Sequence, residues 1–329
     1  METSKIIQNT LKIALPLCLG GLILWWMYRD FDWTELWSAV QNELDWTWIW
    51  LSMPFGIFAQ LFRAARWRQA LEPLDERPSL SVCVHAIFLS YASSLVIPRI
   101  GEVLRCGILK RYENVSFTKS LGTVVTERMV DSLVMLVLSF LIVLCQVRIF
   151  MVFFEETGVD FCAFAGRFST AGYWVTGGCM LAAAVLLYVL ARRLAWLGRT
   201  RDMMRNIVDG ILSLRRVRRI PIYILYSFGI WVAYFLHFYL TFYSFASTEN
   251  LGMATALVAF IVGSFAVLVP TPNGAGPWHF VVKTVLVLYG VSEHDGVIFV
   301  LVVHTLQTML VVLLGLYAAA ALAFVRKRG

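Results

Sequence analysis

A helix crosses a bilayer only where nothing interrupts it, and residues 270–283 interrupt one. The stretch Pro270-Thr271-Pro272-Asn273-Gly274-Ala275-Gly276-Pro277-Trp278-His279-Phe280-Val281-Val282-Lys283 lies between two uncharged apolar runs and holds three prolines and two glycines. Proline removes an amide donor and clashes with the preceding turn, and glycine costs about 1 kcal/mol inside a helix, so the helix breaks here. In hydrocarbon a break strands backbone amides and carbonyls, which is tolerated only where protein or a polar cavity surrounds them. Such breaks mark transport sites. A second break falls at Pro98-Arg99-Ile100-Gly101-Glu102, and the rest of the chain reads as the housing for both.

Composition defines that housing. Hydrophobic residues make up 59% of the 329 and charged residues 15%, against roughly a quarter charged in a soluble domain. Several runs approach the ~20 apolar residues that span a membrane. The net charge of +7 comes from basic residues clustered between these runs, as the positive-inside rule requires, and gives no reason to expect nucleic acid. The six cysteines are scattered without metal-binding or redox spacing and read as core residues. Neither a metal nor a cofactor is expected. Lys5 and Lys12 precede an apolar run that ends in Leu24-Trp25-Trp26-Met27-Tyr28-Arg29 rather than a small-residue cleavage site, so a retained first span is expected.

Charge then orders the segments. Residues 11–28 span outward, and residues 29–45, with five acids and one arginine, read as external. Residues 46–62 return to the basic flank Arg63-Ala64-Ala65-Arg66-Trp67-Arg68. A full crossing by residues 80–98 would place Lys110 and Arg111 outside. A re-entrant hairpin, descending over 80–97, turning at Pro98 to Gly101 and returning over 102–111, keeps them inside. Residues 117–147 span outward and 171–191 return to residues 192–219, where nine arginines face Asp202 and Asp209. That segment is a topology-setting loop or an amphipathic helix on an anionic leaflet. Residues 220–246 cross outward, 252–270 enter from outside, 277–290 climb back, and 297–325 cross inward to Arg326-Lys327-Arg328.

The expected fold is therefore an all-α polytopic membrane protein, a single integral membrane domain over 1–329. About six full spans and two re-entrant helical hairpins meet near mid-membrane, in inverted-repeat halves of about 1–150 and 169–329. A plain ten-span arrangement is the alternative. It inverts the positive-inside pattern after the first break.

An ionisable side chain deep in a span costs about 2.5–3.5 kcal/mol on insertion scales and must face protein or water. Glu127, Arg128 and Asp131 lie ten to fourteen residues into the span beginning at 117, about 15–20 Å deep. Two carboxylates one turn apart need a cation with them, and Arg128 and an arginine of the first hairpin are the expected ones. Arg99, Glu102 and Arg105 sit on that hairpin's returning arm, and His279 and Lys283 are one turn apart beyond the second break. Arg99, Arg105 and Lys283 are expected to face one central volume, where guanidiniums grip phosphate oxygens and lysine adds a point charge. The acids, with Glu102 and Arg105, can equally be a structural ion-pair clamp. Arg63 and Arg66 read equally as interface anchors or headgroup contacts. His85, His237 and His304 read as hydrogen-bonded core residues, and Tyr234 to Phe245 as packing or lipid-facing surface.

Four stretches in this order and spacing resemble a known family: Arg63-Ala64-Ala65-Arg66-Trp67, Ile97-Pro98-Arg99-Ile100-Gly101-Glu102-Val103-Leu104-Arg105, Thr126-Glu127-Arg128-Met129-Val130-Asp131, and Pro270-Thr271-Pro272-Asn273-Gly274-Ala275-Gly276. The family is the flippase-like transmembrane domain of lysylphosphatidylglycerol synthases. The resemblance implies a multi-pass protein of the bacterial cytoplasmic membrane, with movement of an anionic lipid or glycolipid between leaflets. Two departures stand out. The family pattern usually has a second glycine after proline and a glutamate shortly after the last glycine, where this chain has Asn273 and His279. The synthases also carry a soluble aminoacyl-transfer domain, whereas this chain stops at Gly329, so lysyl transfer is not expected.

The expected function is a flippase for an anionic phospholipid or a polyprenyl-phosphate-linked glycolipid. Arg63, Arg66, Arg99, Arg105, Arg128, His279 and Lys283 are the candidate headgroup contacts, and Glu102, Glu127 and Asp131 the coupling or ion-pair network. Pro98, Gly101, Pro270, Pro272, Asn273, Gly274 and Gly276 form the turns. Both termini are expected in the cytoplasm, the partners are anionic membrane lipids, and a homo-oligomer is compatible with the sequence. The competing classes are an intramembrane transferase using Glu127, Asp131 or His279 as base, and a non-catalytic membrane partner.

Overall fold

The computed structural model describes residues 25, 33–42, 44–145, 217, 219–269 and 271–325, and among these it is helical without strands. The spans expected at 11–28 and 171–191, Pro270, most of the basic segment 192–219 and the terminal Arg326-Lys327-Arg328 lie outside the described residues.

Nine α-helices are described: α1 (Trp33–Asn42), α2 (Trp46–Leu71), α3 (Leu80–Ser94), α4 (Ile100–Glu113), α5 (Phe117–Cys145), α6 (Ile220–Tyr239), α7 (Met253–Ala266), α8 (Pro277–Leu288) and α9 (Glu293–Phe324). Local chemistry sets their ends. Asp45 caps α2 by accepting from the Thr47 amide at 2.9 Å, and Ser292 caps α9 by accepting from the Asp295 amide at 3.0 Å. Helix α2 passes into a short 3-10 turn at Glu72–Leu74, closed by Asp75 in the left-handed conformation. At 1.5 Å per residue α2, α5 and α9 are about 39, 44 and 48 Å long, more than the ~30 Å of a bilayer core. Helices α3, α4, α7 and α8 reach only about 22, 21, 21 and 18 Å.

The helix ends sort into two poles. At the basic pole lie Arg68 on α2, Lys110 and Arg111 on α4, and Arg219 before α6. It is tied by Gln69 Nε2 donating to the Arg219 carbonyl at 2.8 Å, by Glu113 accepting from the Ser79 hydroxyl and amide, and by Lys119 pairing with Glu76 at 3.1 Å. At the acidic pole the Asp45 amide donates to Ser244, and Leu44, Leu251 and Val291 share one apolar cluster. Helices α3 and α4 form a hairpin that starts at the basic pole, and α7 and α8 one that starts at the acidic pole. Their tips meet where the Arg99 guanidinium donates to the Leu268 carbonyl at 3.2 Å.

The first turn lies earlier than expected. It occupies residues 95–99, and Gly101 already sits in the first turn of α4. Arg99 takes the left-handed conformation (φ 65°) that a turn glycine would have been expected to supply. Gly101 answers a different need, because a Cβ there would overlap the Ser90 carbonyl on α3. In the second turn Asn273 (φ 51°), Gly274 (φ 75°) and Gly276 (φ 91°) all lie in positive-φ space.

Helix α9 runs beside both hairpins. Its Thr308 accepts from Asn273 Nδ2 at 3.0 Å, and further along Gly315 packs so closely on Ala92 that a Cβ would overlap it. Each hairpin has its own apolar core: Phe238, Phe242, Phe299, Trp278 and Leu286 around the second, and Trp67, Leu71, Cys83, Cys106 and Leu109 around the first. The stretch Tyr234 to Phe245 is thus largely packing surface, with Phe238 edge-on to Phe242, Trp278 and Phe299. Leu133, Leu136 and Phe140 on α5, Leu225 and Phe228 on α6, and Leu313 and Leu316 on α9 stand exposed.

Candidate functional site

Five ionisable side chains meet in the interior between α2, α4 and α5. Arg63 and Arg66, three apart, and Glu127 and Asp131, four apart, each form a stripe on one helical face, and the two stripes oppose each other. Asp131 holds Arg63 at 2.8 Å and Arg66 at 2.7 Å. Glu127 holds Arg105 of the first hairpin at 2.7 Å and approaches Arg66 Nε at 3.6 Å. Arg66 and Glu127 are wholly buried, and the other three nearly so.

Aromatic rings and hydroxyls complete the cage. Arg105 lies over the Trp67 ring at 4.6 Å, and Trp67 Nε1 donates to Thr123 Oγ1 at 3.0 Å, which fixes the ring. Arg66 donates to Ser227 Oγ at 3.1 Å and lies over Tyr223 at 5.8 Å. Arg63 lies over Tyr91, whose hydroxyl accepts from Tyr234 at 3.0 Å. The Nε atoms of Arg63 and Arg105 are buried without an acceptor among the described residues. Three guanidiniums face two carboxylates, so this interior carries one positive charge in excess and spare N–H donors. A negatively charged group is the chemistry that would satisfy both.

The structure therefore regroups the expected site. The cations beside Glu127 and Asp131 are Arg63, Arg66 and Arg105; Arg128, expected there, turns outward and pairs with Glu102 at 2.6 Å, half exposed. Arg99 lies at the contact between the tips. Lys283 does not join Arg99 and Arg105: it points to the acidic pole, 3.6 Å from Glu293 and against Gly296. Lysine sits one turn beyond His279 on an arm leading away from the tip, so its long stem carries the charge outward. Trp67, Tyr91, Tyr223 and Ser227 were not expected here, although Trp67 adjoins Arg66 in the Arg-Ala-Ala-Arg-Trp stretch, and Tyr234, expected as packing or lipid-facing surface, reaches the cage through Tyr91.

The second tip accounts for both departures in its motif. Asparagine is the residue after glycine that most readily enters left-handed space, which is what position 273 requires. His279 occupies the third residue of α8, and its Nδ1 accepts from the Gly276 amide at 3.4 Å. A glutamate there would cap the helix in the same way. His304, read as a solitary core residue, donates from Nε2 to the Asn273 carbonyl at 3.2 Å and lies 4.3 Å from His279, ring to ring. His237 is a core residue that donates to the Ser52 carbonyl at 2.9 Å.

Long helices with exposed leucine and phenylalanine, and charges held inside or at two poles, define a helical membrane protein. The family described as "Lysylphosphatidylglycerol synthase TM region" matches residues 13–315, and the chain belongs to it. Among curated proteins and among solved structures, none matches this chain.

Proposed function

We propose that this protein is a lipid flippase that moves a phosphate-bearing lipid between the leaflets of a bacterial cytoplasmic membrane. The observation that carries the reading is the Arg99 to Leu268 contact between the tips of two short hairpins, beside a buried network with one excess positive charge. Helices α3, α4, α7 and α8 are too short to cross a bilayer. With their bases at opposite poles they enter from opposite leaflets, which is the arrangement of an inverted repeat with its site at mid-membrane. The basic pole faces the cytoplasm under the positive-inside rule, and both termini lie there. A headgroup phosphate reaches the spare guanidinium donors while its acyl or prenyl chains stay in the bilayer, and the halves rock about the tip contact to open it to each side.

The test is translocation of fluorescent phospholipid in proteoliposomes, read by dithionite quenching. The wild type is expected to accelerate exchange, and Arg99→Ala, which removes an exposed contact and no buried charge, to slow it at least about fivefold. A wild type no faster than protein-free vesicles, or an Arg99→Ala protein as fast as wild type, would refute the reading.

A further inference from the structure

Resting on the lipid-transport reading, a second polar site narrows the class of lipid. A cavity of about 390 Å³ opens at the basic pole between the end of α2, the start of α3 and the start of α6, separate from the buried network. Its walls include Arg68, Arg219, Glu72 and Gln69, with Leu80 and Ile222 as apolar surface. Arg68 and Glu72 are spaced four apart, a favourable register for pairing. Among the described residues, however, neither Glu72 nor either arginine forms an ion pair within 4.0 Å. Gln69 donates its amide to the Arg219 carbonyl, and its Oε1 is buried without a partner.

The cavity thus places two guanidiniums and a carboxylate side by side, exposed and unpaired with one another. Two guanidiniums suit an anion with several oxygens, and the carboxylate suits an N–H donor. A phosphodiester satisfies the first and a primary ammonium the second. The wall carries two positive charges and one negative; the phosphodiester offsets the net positive charge, and a primary amine is selected by Glu72, which a headgroup without an N–H donor leaves unpaired. A headgroup with one phosphate and two ammonium groups would add net positive charge to a positive wall. We infer that this cavity binds a zwitterionic headgroup, a phosphodiester joined to one primary amine, as in phosphatidylethanolamine, with phosphate on Arg68 and Arg219 and ammonium on Glu72. Leu80 and Ile222 then lie where acyl chains leave the headgroup. The inference concerns the residues that receive lipid at the basic pole and does not involve the Arg63, Arg66 and Arg105 network.

The test is native mass spectrometry of the full chain in micelles loaded with equal amounts of phosphatidylethanolamine, phosphatidylglycerol and lysylphosphatidylglycerol. The wild type is expected to retain phosphatidylethanolamine about tenfold over each of the others. Glu72→Gln, an exposed change that leaves the packing intact, should reduce this preference to about twofold or less, and Arg68→Gln should lower retention of both phosphatidylethanolamine and phosphatidylglycerol. Equal retention, preference for the lysylated lipid, or a Glu72→Gln protein that keeps the wild-type preference would overturn the inference. Displacement of the lipid by micromolar glycerophosphoethanolamine would assign the cavity to a soluble ligand of the same chemistry and overturn the lipid assignment. Translocation measured on the same preparations separates the two readings: transport without selective retention refutes this inference alone, and selective retention without transport refutes only the flippase.

Discussion

Asp131→Asn tests whether the buried network is held by charge. Among the described residues Asp131 is the only carboxylate within 4.0 Å of Arg63, whereas Arg66 keeps a second one in Glu127. The amide preserves shape and one acceptor, but it leaves Arg63 buried against the Tyr91 ring with no counter-charge. Breaking a buried ion pair from one side costs about 3–5 kcal/mol, while an average hydrogen bond between membrane helices contributes only about 0.6 kcal/mol. The two explanations differ several-fold. The assay is equilibrium unfolding in mixed micelles titrated with SDS. Asp131→Asn should lose about 3–5 kcal/mol. Arg63→Met should lose less, because Asp131 retains Arg66. The double variant, which removes charge and partner together, should recover at least about 2 kcal/mol relative to Asp131→Asn in a double-mutant cycle. A loss near 0.6 kcal/mol for Asp131→Asn, or a double variant equal to the sum of the singles, would show that the network holds by packing and refute the charge argument.

Gly101→Ala must push α3 and α4 apart and should cost about 1–3 kcal/mol in the same unfolding assay. Gly107→Ala, on the same helix with no atom within 4 Å of its Cβ position, should be neutral or gain up to about 1 kcal/mol. At the second tip Asn273→Gly should leave the thermal midpoint within a few degrees of wild type, since relief of the left-handed backbone offsets loss of the Thr308 contact. Asn273→Val, β-branched at positive φ, should lower it clearly. His279→Leu should lose about 0.5–2 kcal/mol with the helix cap, and His279→Gln, which keeps an acceptor, should retain most of it by SDS titration.

Both hairpins were legible because proline and glycine interrupt apolar runs whatever the tertiary structure. Their details were less so. The first turn lies before Gly101 because a glycine can answer a close approach between helices as well as a left-handed backbone, and only the position of Ser90 distinguishes the two. Glu127 and Asp131 were legible from their depth, and so was a cation from the first hairpin, Arg105, but Arg128 was expected where Arg63 and Arg66 stand. Arg63 and Arg66 end an apolar run, which locally is what an interfacial flank looks like, and their burial depends on α5, whose register against α2 no local pattern encodes. Lys283 shares a helical face with His279, but sharing a face does not fix which pole a long side chain seeks. The orphaned Gln69 Oε1 and its cavity depend on three chain segments and have no sequence signature at all.

The contact between the tips joins a side chain to a main chain. Any residue at position 268 offers Arg99 the same carbonyl, so drift in the second tip leaves the contact intact as long as the turn keeps its shape. The first tip has no such freedom, since only a long side chain with spread donors makes the reach from position 99. The two halves of the molecule therefore face unequal mutational constraint at their junction. A saturation library should find position 268 permissive and position 99 narrow, although the two meet at a single hydrogen bond.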